Sequence, residues 1–132
     1  MARPFIGGTS ASIESLAAST TLGPADSGKT FICSQAGAYD ITIPAVTTKG
    51  WEAKFILGTA GGNDFDVVGG TADKMVGIEM GDTNTAITAD SDKVTFVASN
   101  AVVGDWIHVL SDGTNYYVTH AAVADNGAAH SG

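Results

Sequence analysis

At 132 residues and 13.3 kDa the chain has the size of one domain, a length that buries about two thirds of its unfolded surface. Six Lys and Arg against 14 Asp and Glu give a net charge of -8 and a pI near 4.4, a field that repels phosphate backbones and anionic membranes, so neither nucleic acid nor membrane is an expected partner. Charged residues are 15% where an ordinary domain carries about 25%, so the surface has to be made of Gly, Ala, Ser and Thr, which suits a component whose faces are covered by neighbours.

The start, Arg3-Pro4-Phe5-Ile6-Gly7-Gly8, reads as extended and has no apolar run of signal-peptide length. The expectation is synthesis in a cytoplasm, without export by that route. Ile13, Leu16 and Ala17 then fall at helical spacing among Ser, Ala and Thr. Residues 1–22 thus read as an arm, with or without one short helix, that reaches a neighbouring subunit.

From Gly28 the pattern changes to short β segments separated by turn residues. Residues 29–34 and 39–43 flank Ala36-Gly37 as a first hairpin, closed by Pro44. Residues 51–57 alternate, with Ala53, Phe55 and Leu57 on one face and Lys54 and Ile56 on the other. Residues 64–68, 74–80, 85–89 and 93–98 follow. Phe65 and Val67 oppose Asp64 and Asp66, and Val94, Phe96 and Ala98 share a face.

Asp112-Gly113 predicts a two-residue hairpin turn that pairs Val109 with Tyr116, Ile107 with Val118, His108 with Tyr117 and Trp106 with Thr119. Ile107, Val109, Tyr116 and Val118 form its core face. Trp106, His108, Leu110 and Tyr117 lie opposite, too apolar for water, and need either a second sheet or an identical subunit as cover. In this register His120 faces Asp105 on the side of His108. About nine short segments, with no long internal repeat, predict an all-β domain over 23–122, a jelly-roll-like sandwich or barrel. Residues 123–132 read as a loose tail.

Sites of chemistry are weakly indicated. Residues 23–30 satisfy Gly-x-x-x-x-Gly-Lys-Thr, but Phe31-Ile32-Cys33 reads as a strand where a phosphate loop needs a helix, and Pro24 removes an amide. A polar turn is the better reading. Asp64, Asp66, Asp73, Asp82, Asp90 and Asp92 offer oxygens for calcium without the closing glutamate of an EF-hand loop, and turn hydrogen bonds explain them more simply. Glu14, Glu52 and Glu79 select no catalytic pair, and His108, His120 and His130 make no tetrahedral zinc set, although a three-fold axis could gather three copies of His108. Cys33, the single cysteine, reads as a core thiol. Trp51, Trp106, Tyr39 and Tyr117 are the aromatics available to stack on a sugar. No enzyme, metal or cofactor is expected.

Gly28-Lys29-Thr30-Phe31, the segment from Ala36 through Tyr39-Asp40-Ile41-Thr42-Ile43 to Pro44, and that from Gly104-Asp105-Trp106 through Asp112-Gly113 to Tyr117-Val118 resemble small β-rich virion proteins of tailed bacteriophages. These are head decoration, or cement, proteins and tail-fibre domains. The resemblance covers about 90 residues. It implies a homotrimer without enzyme activity, bound to the outer capsid at junctions of the major capsid protein. Arg3, Pro4, Phe5, Ile6, Ile13 and Leu16 would then belong to a capsid-contacting arm, and Trp106, His108, Leu110 and Tyr117 to the subunit interface. A tail-fibre or receptor-binding domain and a carbohydrate-binding module are the alternatives.

Overall fold

The computed structural model describes residues 12–81, 85–124 and 127–132. Among them are twelve strands, β1 (Ile13–Leu16), β2 (Thr20–Thr21), β3 (Thr30–Ser34), β4 (Tyr39–Thr42), β5 (Glu52–Thr59), β6 (Phe65–Val68), β7 (Met75–Met80), β8 (Thr85–Ser91), β9 (Lys93–Phe96), β10 (Trp106–Ser111), β11 (Tyr116–Ala121) and β12 (Ala128–Ser131). They form two mixed sheets, a seven-stranded one in the order β1-β3-β5-β10-β11-β7-β8 and a five-stranded one in the order β12-β9-β6-β4-β2. The expected all-β class holds.

Period-two patterning sets the core. Phe31, Cys33, Ala53, Phe55, Leu57, Ile107, Val109, Tyr116 and Val118 point inward from the larger sheet, and Tyr39, Ile41, Phe65, Val67, Val94 and Phe96 from the smaller. Aligned register stacks the rings: Tyr39, Phe65 and Phe96 form a ladder with centroids 4.9 and 4.6 Å apart, and Phe31 stacks on Phe55 at 5.3 Å. The Tyr116 hydroxyl donates to Pro44 O at 2.6 Å, tying the larger sheet to the chain leaving β4.

In its first half the chain alternates between the sheets. β1, β3 and β5 lie parallel in one while β2, β4 and β6 lie parallel in the other. The expected hairpin at Ala36-Gly37 is therefore a corner between sheets. Buried Gln35 holds it, donating Nε2 to Phe96 O and accepting the Gly61 amide from the next corner. A Cβ on Gly61 would stand 2.6 Å from Gln35 O, so the two corners stack only with glycine there. Successive windings differ in length, which is why no repeat is visible in the sequence.

Three further expectations change. Ile13–Leu16 and Thr20–Thr21 are strands rather than a helix or free arm. Leu16 packs in the core, and Tyr39 Oη lies 3.3 Å from Leu16 O. The tail is not loose, because Ala128–Ser131 pairs antiparallel with β9. The β10–β11 connection is a four-residue loop: Asp112 Oδ1 accepts the amides of Thr114 and Asn115, both at 2.8 Å, and only Gly113 takes a positive φ. Pairing shifts by two, to Val109 with Val118, His108 with Thr119 and Trp106 with Ala121. A shift of two preserves which residues face inward.

Candidate functional site

The outward face of the seven-stranded sheet is the main candidate. Its rows follow from register. Ile32, Ile56, Trp106, Ala121 and Met80 are successive neighbours across five strands. The next row is Thr30, Lys54, His108, Thr119 and Ile78, and beyond it Glu52, Leu110, Tyr117 and Val76 form a third. Ile78 is 44% exposed, Tyr117 45%, Met80 38% and Leu110 37%, so no described element lies over this strip. Single apolar residues are normal on a surface, but two apolar rows flanking a mixed one make this face the candidate interaction surface.

Four residues expected at the interface, Trp106, His108, Leu110 and Tyr117, lie together on this face. Lys54 Nζ sits 4.6 Å from the centroid of the Trp106 ring, and its neighbour His108 has Nε2 3.4 Å from Glu52 Oε2. Lys54, His108 and Glu52 form a polar margin with Gly28, Lys29 and Thr30 around a shallow groove of about 160 Å³, well below the 300–1,000 Å³ of typical small-molecule pockets. Ile13 is exposed beside Thr30 at the sheet edge. Arg3, Pro4, Phe5 and Ile6 lie outside the described residues.

The Gly23–Thr30 turn is not shaped as a phosphate loop. Pro24–Asp26 form one 3-10 turn and the chain runs into β3, while Lys29 is committed to Asp26 at 2.7 Å and Glu14 at 3.0 Å. The Lys29 bond and the Gly23 amide hold the Asp26 carboxyl below the usual carboxylate range. Asp92 accepts the Asp73 amide, Asp90 the Thr88 hydroxyl, Asp64 the Ala98 amide, and Asp66 both Lys93 and Thr95. Asp82 falls outside the described residues. Burial pushes the Cys33 thiol up to about 12. Trp51 and Tyr39 are core residues, leaving half-buried Trp106 and exposed Tyr117 as the outward aromatics of the four considered for sugar stacking.

One cluster escaped the sequence reading. His120 does not face Asp105 on the His108 side; it pairs with Ile107 and points inward, fully buried. Glu79 of β7 lies beside it, with Oε2 4.0 Å from His120 Nε2, and the same oxygen is 3.6 Å from His130 Nδ1 of β12. Among the described residues, neither nitrogen of His120 nor Nδ1 of His130 has a hydrogen-bond partner. Burial first, and His130 second, push His120 down to about 4. The phase Tyr116, Val118, His120 was a usable signal, since an inward imidazole needs a partner.

No family model, no curated protein and no solved structure matches this chain.

Proposed function

We propose that this chain is a structural virion protein that assembles as a homotrimer and decorates the outer capsid of a tailed bacteriophage, bridging junctions of the major capsid protein. The observation that carries the reading is the apolar outer face of the seven-stranded sheet, centred on Trp106, Leu110 and Tyr117. A cyclic trimer is heterologous, so each copy must offer two different patches. The second is a loop tip carrying exposed Val102, Val103 and Val123, held by buried Asp105, whose carboxylate accepts the amides of Val102 at 2.8 Å and Val123 at 3.0 Å. The low charge density fits a chain most of whose surface is covered by neighbours. The fold belonging to this reading is a sandwich of two mixed sheets, whose parallel windings depart from the antiparallel jelly roll expected from the sequence, with Arg3, Pro4, Phe5, Ile6 and Ile13 toward the capsid.

Bridging would stabilise the shell through many modest contacts that act together, each copy favouring the assembled state. The test is co-sedimentation with capsids assembled from the major capsid protein of the same genome. Saturable binding of three chains per site, together with slower capsid disruption on heating, is expected. Capsids that pellet without the protein at saturating concentration would contradict the decoration role. A tail-fibre domain would use the same face, and binding to assembled fibres instead of capsids would identify it.

A further inference from the structure

We propose that Glu79, His120 and His130 form a binding site for one divalent transition-metal ion of the zinc class, which fastens the C-terminal strand to the opposite sheet. One donor atom from each residue lies within 4.8 Å of the other two. Tetrahedral zinc with bonds of about 2.0–2.1 Å places ligand atoms about 3.3 Å apart; Glu79 stands 3.6 and 4.0 Å from the two imidazoles, whose donor atoms lie within 4.8 Å of each other, so the side chains would have to close in around the ion. The donor set, two imidazoles and one carboxylate, suits zinc, cobalt or nickel and disfavours calcium, which takes oxygen ligands.

Two features distinguish this cluster from an ordinary surface group of acids and histidines. His120 is 0% exposed with both ring nitrogens lacking a hydrogen-bond partner among the described residues, an expensive state for a buried polar side chain that coordination would relieve at one of the two nitrogens. Then there is the topology. Glu79 and His120 are neighbours on β7 and β11 of the larger sheet, whereas His130 belongs to β12, which pairs only with β9 at the edge of the smaller sheet. A bound ion would therefore bridge the two sheets where an edge strand has a single ladder partner. Three protein ligands leave a fourth position, and the partial exposure of Glu79 and His130 gives it a route to solvent.

The test uses untagged protein, since a histidine tag would bind the same ions. Zinc bound after gel filtration is measured by elemental analysis, and affinity by competition with a chelator. The expected result is one zinc per chain, a rise in Tm on adding zinc, and at least a 10–100-fold loss of affinity in His130→Ala and Glu79→Ala, since even outer-shell changes cost that much. His130 is the first choice for substitution because it sits on an edge strand. Should either variant fail to fold, cobalt(II) added to the wild-type chain reads the ligand set directly. Intense visible bands of a tetrahedral nitrogen and oxygen site are expected, and the weak spectrum of the aqueous ion would overturn the proposal. Sub-stoichiometric zinc in the wild type, equal affinity in folded His130→Ala, or calcium binding as tight as zinc would each overturn it too.

Discussion

On the outside of the five-stranded sheet Asp40, Asp66 and Thr95 share one row and Thr42, Val68, Lys93 and Ser131 the next, with Lys93 2.7 Å from Asp66. On the outside of the seven-stranded sheet the corresponding positions are Ile32, Ile56, Trp106, Leu110, Tyr117, Ile78 and Met80. Both sheets share one core and the same alternation, so backbone geometry does not account for the difference. A face that alternates with the core and is polar is ordinary for a sheet with water on one side. The other face sets apolar rows on either side of the Lys54, His108 and Thr119 row, and the subunit contact proposed above would cover it.

The comparison can be broken from beneath. Phe65→Ala removes the middle ring of the Tyr39–Phe65–Phe96 ladder in the shared core, and a loss of about 3–5 kcal/mol in urea unfolding is expected, compromising both faces together. Trp106→Asp acts on one face alone. It should weaken self-association by at least about 30-fold, the effect of losing a hot spot worth about 2 kcal/mol, while the unfolding midpoint of the separated chain changes little. Asp66→Ala on the polar face is its counterpart, expected to cost about 1 kcal/mol of stability and to leave association unchanged. If both faces respond alike in the association measurement, the contrast between them has no functional content.

Two smaller effects sharpen the picture of the apolar face. Cys33 lies under this face on β3, between edge strand β1 and β5, and its thiol, pushed up to about 12, should resist alkylation at pH 8 in the folded chain and react fully in denaturant. Fast labelling in native buffer would mean that this edge opens readily. At the margin of the same face, the lowered Asp26 carboxyl stabilises the fold at pH values above its unfolded value near 3.8, and that contribution is lost as pH falls through the folded value. Asp26→Asn should accordingly flatten the decline in stability below about pH 4, read as unfolding midpoint against pH.

Inward and outward positions were legible because period two survives without knowing any partner. Val109 and Tyr116, or Phe65 and Val67, fall on the correct side from sequence alone, and the two-residue error at Asp112 left the hairpin faces intact apart from His120, which was set on the outer side and lies inside. Sheet membership was not legible. Nothing local in Gln35-Ala36-Gly37-Ala38 separates a hairpin from a corner, since the deciding bonds go to Phe96 and Gly61, far along the chain. β1, β2 and β12 are runs of two to four residues, too short for a period-two pattern to show, whose strand character comes from their neighbours. For the same reason the Glu79–His120–His130 cluster was invisible, because it joins three strands of two sheets.

Sedimentation equilibrium at micromolar concentration, run on the wild type and on Trp106→Asp side by side, tests the central claim most directly. The account predicts a wild-type species of three times 13.3 kDa that falls to the mass of one chain in the variant. A wild-type chain that stays at 13.3 kDa at every concentration, or a trimer indifferent to Trp106→Asp, would contradict the assignment of the apolar face as the subunit interface.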